Sequence, residues 1–70
     1  MRITLNGEPR DLPRAMTVAE LLDHLDIDPR VVAVEVDRVV IKRARFADTA
    51  IPDQAEVEIV AFVGGGSAAR

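Results

Sequence analysis

Few side chains in this sequence can act as nucleophile, acid or base. There is one His (His24), one Lys (Lys42), one Ser (Ser67) and no Cys or Tyr. A nucleophile–base pair needs a hydroxyl or thiol held within hydrogen-bond reach of a base. Ser67 follows three consecutive glycines near the C-terminus, whereas His24 lies in an amphipathic stretch, so nothing preorganises the two. His24 reads as a solvated helix-face residue near a helix C-terminus. Asp23, Asp26 and Asp28 surround it with metal-ligating types, but their spacing matches no compact ligand pattern, and the group reads as a solvated helix end. Asp53, Glu56 and Glu58 read as loop and outer-face charge, because acid–base carboxylates need a pocket and a small core is filled by its own side chains. No residue is assigned a catalytic role, and no metal or bound cofactor is expected.

Gly64-Gly65-Gly66 carries the chemical interest. A phosphate-binding Gly loop is followed by a helix whose N-terminus faces the anion, and nothing helical follows here. Either the run is a plain flexible linker, or it is a thin arm without Cβ atoms that can thread a narrow tunnel, its carbonyl carbons unshielded. Three glycines reach about 10 Å past a fold. Such an arm suits a protein whose own C-terminus is the substrate of another enzyme. Just before it, Val60 and Phe62 share one strand face with Glu56 and Glu58. If Val57, Ile59 and Ala61 point inward, Val60 and Phe62 form an exposed apolar spot rimmed by charge, a candidate docking patch, with Arg2 and Thr4 on the same surface.

The elements that would position these residues follow from the pattern. Met1 to Asn6 alternates, with Ile3 and Leu5 on one side. Asn6-Gly7 is a hairpin signal, and Glu8 to Leu12 returns as an edge strand containing Pro9. Thr17 and Glu20 fit a capping box, and Val18, Leu21, Leu22 and Leu25 recur at helical spacing up to a stop before Asp28-Pro29. Val31 to Val36 is continuous and β-branched, which predicts a central strand buried on both faces. Asp37-Arg38 predicts a tight turn and Val39 to Lys42 a short strand. Arg43 to Asp53 reads as a loop with a short helical turn near Phe46, and Glu56 to Val63 as the last strand. The fold class is therefore α+β: a mixed sheet with one helix packed across it, the first and last strands adjacent at its centre, and Leu21, Leu22 and Leu25 packed on Ile3, Leu5, Val34, Val57 and Ile59. Residues 1–63 form the domain and residues 64–70 a flexible Gly-rich tail.

Composition sets the outer limits. Seventy residues make one domain, and one this small buries only about 60% of its unfolded surface. A net charge of −3 argues against nucleic acid as a partner. No apolar run reaches the ~20 residues of a membrane span and no signal segment opens the chain, so a cytoplasmic location is expected.

Asn6-Gly7-Glu8 after the first strand, Thr17-Val18-Ala19-Glu20-Leu21-Leu22 opening the helix, Val32-Ala33-Val34-Glu35, and Val57-Glu58-Ile59-Val60 running into Phe62-Val63-Gly64-Gly65-Gly66 together resemble the ThiS family, sulfur carriers of thiamine biosynthesis. The resemblance covers residues 1–66. It implies a ubiquitin-like β-grasp fold. It also implies that an E1-like enzyme of the ThiF type uses ATP to adenylate the C-terminal Gly, that sulfur delivery gives a thiocarboxylate, and that a thiazole synthase of the ThiG type takes the sulfur. The carrier itself catalyses nothing. The reactive carboxylate would belong to Gly66 (or Gly65), with Gly64 and Gly65 as the arm.

Three departures stand out. The chain continues as Ser67-Ala68-Ala69-Arg70, so these four residues must be trimmed, or be foreign to the working protein, for Gly66 to carry the chemistry. Lys42-Arg43 replaces the usual Pro-Arg after the fourth strand, and Asp53-Gln54-Ala55 replaces the usual Asp-Gly-Asp turn. Two alternatives stay open. One is a sulfur carrier of a molybdopterin, cysteine or secondary-metabolite pathway. The other is a non-carrier β-grasp binding module in which Ser67–Arg70 is permanent.

Overall fold

The computed structural model describes residues 1–62. The expected domain limit at Val63 and the tail at 64–70 lie outside them. Five strands, β1 (Arg2–Leu5), β2 (Glu8–Asp11), β3 (Val32–Val36), β4 (Val39–Ile41) and β5 (Glu56–Ala61), form one sheet in the order β2-β1-β5-β3-β4. One helix, α1 (Val18–His24), packs on its inner face, and 3₁₀ turns occupy Pro29–Val31 and Arg43–Arg45. β1 and β5 pair in parallel while every other pairing is antiparallel. The first and last strands thus meet inside the sheet, as expected.

Local chemistry accounts for the elements. Asn6 and Gly7 both have positive φ (49° and 84°), the backbone that a tight two-residue hairpin demands. This turn sets Leu5 opposite Glu8 and Thr4 opposite Pro9. Next to a two-residue turn the flanking pair exchanges hydrogen bonds and the following pair does not. The missing N–H of Pro9 therefore faces the open edge. Asn6 also holds β5: its side-chain oxygen accepts from the Ile59 N–H at 2.8 Å, and its Nδ2 donates to the Ile59 carbonyl at 3.2 Å.

The capping box of α1 is present. Thr17 Oγ1 accepts from the Glu20 N–H at 3.1 Å, and Glu20 Oε1 accepts from the Thr17 N–H at 2.9 Å. The next donors go to the long loop: Val18 N–H to the Thr49 carbonyl and Ala19 N–H to the Phe46 carbonyl, both 2.9 Å. The first-turn donors of the helix are thereby satisfied. At its other end the helix stops before the proline does any work. Asp26 has φ +60°, its N–H donates to the Asp23 carbonyl at 3.0 Å, and the Ile27 N–H donates to Leu22 at 2.9 Å. This is a Schellman motif with Asp where Gly is usual.

Val18, Leu21 and Leu22 are fully buried against Ile3, Val34 and Val57. Leu5, Leu25 and Ile59 pack as partly buried neighbours, and Leu12, Met16, Phe46, Ile51 and Ala55 complete the core.

Three expectations need correction. Val31 belongs to the 3₁₀ turn and is exposed; the strand starts at Val32. Nor is β3 buried on both faces: Val32, Val34 and Val36 are buried, while Ala33 and Glu35 alternate with them, half-exposed. One helix covers one face of the sheet, so the other stays open. On β5, Ala61 has inward parity but is exposed.

Candidate functional site

β5 lies between β1 and β3, and the chain leaves it at Ala61 toward the glycine run. Its alternation sends Val57 into the core and leaves Glu56, Glu58, Val60 and Phe62 on the outer face. Val60 is 60% and Phe62 65% exposed. Phe62 remains anchored, its N–H donating to the Val31 carbonyl at 2.8 Å. Val60 and Phe62, the docking candidates read from the sequence, are thus both exposed on the outer face at the end of the described residues. Gly64, Gly65, Gly66, Ser67, Ala68, Ala69 and Arg70 lie outside the described residues.

The outer face divides into two ends. Thr4 is opposite Glu56 and Arg2 opposite Asp11, so both N-terminal residues share this face. Arg2 Nε donates to Asp11 Oδ1 at 2.8 Å. This hydrogen bond and the opposite charge hold the Asp11 carboxyl below its ordinary range. At the start of β5, Glu35, Arg38, Glu56 and Glu58 line a hollow of about 380 Å³, where Arg38 pairs with Glu56 at 3.5 Å. Glu35 and Glu58 are direct cross-strand partners, a like-charge placement that costs stability in a sheet. At the other end the face is apolar. Ala33 is directly opposite Val60, and exposed Val31 and Val40 extend the patch. Sequence reasoning missed these last residues. The Asp37-Arg38 turn held the signal, because it fixes Val40 opposite Glu35 and hence on the outer face.

The remaining chemical residues are not brought together. His24 and Asp23 are exposed on α1 beside Arg14, Ala19 and Glu20, around a shallow hollow of about 420 Å³. Asp28 is occupied elsewhere: it caps the Pro29–Val31 turn and accepts from Arg30 Nη2 at 2.8 Å. The Arg30 side chain, then its backbone N–H, pull the Asp28 carboxyl down to about 2. Glu20 is lowered chiefly by the Thr17 backbone N–H. Asp53 Oδ1 accepts from the Arg2 N–H at 3.0 Å, a turn contact. Among the described residues no group of three or more His, Cys, Asp and Glu side chains could hold a metal ion, and no helix is long and apolar enough to cross a membrane.

Known proteins resemble this chain in fold and in sequence. The crystal structure of the thiamine biosynthesis protein ThiS from Geobacter metallireducens superimposes with a TM-score of 0.83 at 35% identity, covering 94% of this chain and 100% of that one. A solution structure of a thiamine biosynthesis protein from the same organism gives 0.78 at 36% identity, with 96% and 90% coverage. In sequence, the chain is 43% identical over 67 residues to a thiazole synthase of Paramagnetospirillum magneticum, covering 96% of this chain but 21% of the synthase. A second thiazole synthase, from Magnetococcus marinus, is 36% identical over 66 residues. The chain thus spans about a fifth of the length of these two relatives, 21% and 20%. It is also 36% identical to the uncharacterized protein ycf40 of Porphyra purpurea, over 91% of this chain and 90% of that protein. The ThiS family model matches residues 3–66, from the first buried position of β1 to the last glycine of the run, and the chain belongs to the ThiS family.

Proposed function

We propose that this protein is a sulfur carrier of thiamine biosynthesis that acts through a main-chain carboxylate. The supporting observation is the family match, which runs through the sheet and ends on Gly66, four residues before Arg70. In this reading Gly66 (or Gly65) carries the reactive carboxylate after removal of Ser67, Ala68, Ala69 and Arg70. A bare carboxylate is a poor acyl electrophile because its leaving group would be an oxide. An ATP-using activating enzyme of the ThiF type adenylates it, with loss of pyrophosphate, so that AMP becomes the leaving group. A sulfur nucleophile then displaces AMP and leaves a thiocarboxylate. A ThiG-type thiazole synthase receives the sulfur. The match between this chain and about a fifth of each thiazole synthase supports that partner type.

The chain contributes a rigid base, an arm and a grip, and no catalytic side chain. Gly64 and Gly65 supply an arm slim enough for a tunnel that a long charged side chain such as Arg70 would block. Val60 and Phe62, both exposed at the foot of the arm, supply the contact patch for the activating enzyme. The test is direct. The chain ending at Gly66 is incubated with ATP, a ThiF-type enzyme and a sulfur donor, and then weighed. A mass gain equal to one oxygen replaced by one sulfur supports the reading; an unchanged mass, with the enzyme active on its own carrier, contradicts it.

A further inference from the structure

The sheet has two edges, and they differ. The β2 edge is closed to strand addition: Glu8, Pro9, Arg10 and Asp11 are all exposed, three are charged, and Pro9 offers no outward N–H. The β4 edge has none of this protection. Val39 and Val40 are 60% and 66% exposed. The Asp37-Arg38 turn sets Val36 opposite Val39 and Val40 opposite Glu35. By the hairpin alternation, Val36 and Val39 exchange hydrogen bonds, and the N–H and C=O of Val40 point away from β3. Among the described residues no turn, loop or side-chain hydrogen bond reaches the Val40 backbone. Beside it a hollow of about 320 Å³ opens, lined in part by Ala33, Val40 and Phe62, with Arg30 and Arg43 also on its wall.

Charge selects the occupant. In a chain of net charge −3, Arg38, Lys42, Arg43 and Arg45 place four of nine basic residues in eight positions that hold no acid. Only Arg38 of these makes an ion pair among the described residues. We propose that the β4 edge binds, as an added strand, an extended acidic and apolar segment of a partner protein. The backbone of Val40 would supply the ladder hydrogen bonds, the hollow would take an aliphatic side chain, and Lys42 and Arg43 would meet flanking carboxylates. A second copy of this chain fits poorly: antiparallel pairing about Val40 would set Arg38 opposite Lys42, a like-charge pair. A nucleic acid would use the cations but neither the valines nor the open backbone. The proposal does not depend on the carrier reading.

The probe is a fluorescent heptapeptide, Asp-Glu-Ile-Val-Ile-Glu-Asp with blocked ends, titrated into the isotope-labelled 70-residue chain. The expected result is saturable binding with amide shifts centred on Val39–Arg43. Val40→Pro removes the outward donor together with the valine side chain on the wall of the hollow, at a non-hydrogen-bonded pair position like that of Pro9 on the other edge. It should weaken binding at least about tenfold, the effect of the lost hydrogen bond alone. Lys42→Glu with Arg43→Glu should abolish binding of the acidic peptide and confer binding of its all-Lys counterpart, a readout that stands if Val40→Pro fails to fold. No binding, shifts elsewhere, equal binding of the all-Lys peptide by the natural chain, equal binding of a DNA oligonucleotide of the same charge, or self-association through β4 in place of peptide binding would each overturn the proposal.

Discussion

Among the described residues five that are not glycine, Asn6, Asp26, Asp37, Arg38 and Gln54, hold the left-handed backbone, and they mark where single residues shape this molecule. Asn6 gains from it, because the same residue clamps Ile59 of β5 through both side-chain atoms. Asp26 and Gln54 have φ of +60° and +69°. Gln54 occupies the middle of the Asp53-Gln54-Ala55 turn and donates its N–H to the Arg2 carbonyl at 2.7 Å. A side chain at positive φ costs about 1 kcal/mol, part of which glycine returns as unfolded-state entropy. Asp26→Gly and Gln54→Gly should each therefore stabilise by about 0.5 kcal/mol, read from urea unfolding; a lowered midpoint would contradict the strain. Asp28 gives a second test. Its folded pKa is depressed to about 2, so its contribution is complete above the unfolded value near 4 and is lost as pH falls through about 2. A carboxyl titration by NMR should show that low midpoint, and Asp28→Asn should flatten stability across the same window. The turns at Asn6-Gly7 and Asp37-Arg38 were legible because their residue types favour positive φ or sit between strand patterns. The stop at Asp26 was hidden, since Asp stands in the place of Gly and Pro29 offered a plausible but later stop.

At the scale of elements, periodicity was most informative where one face is buried. β1 and α1 read correctly for that reason, and so did β5 up to Val60, with Ala61 exposed where burial was expected. β3 misled because its run of valines looks doubly buried, while Glu35 within the run was the overlooked sign of an open face. The loop from Arg43 to Asp53 gave no pattern, yet it holds Phe46 and Ile51 in the core and accepts the first N–H donors of α1. Its order comes from long-range pairing, which no local rule reads. The open face of β5 carries the functional prediction. Val60→Ala with Phe62→Ala should lower activation by a ThiF-type enzyme about tenfold or more, as expected for an exposed aromatic anchor in an interface. Because both side chains are exposed, the melting temperature should change little. A large fall in melting temperature, or undiminished activation, would remove the patch from the contact.

At the scale of the molecule, parallel pairing of β1 with β5 places the last strand inside the sheet with a neighbour on each side, and Phe62 just beyond it is tied to Val31. The sequence's one His, one Ser and no Cys are compatible with the proposed carrier role, in which the reactive group is a main-chain carboxylate. What the sequence left open is its end. The measurement that tests the central claim most directly is the mass of the untagged protein recovered from its own cells. The carrier account predicts a chain ending at Gly66 (or Gly65), part of it with sulfur in place of one carboxylate oxygen. A chain that retains Ser67–Arg70 throughout, with oxygen alone at its terminus, would contradict it.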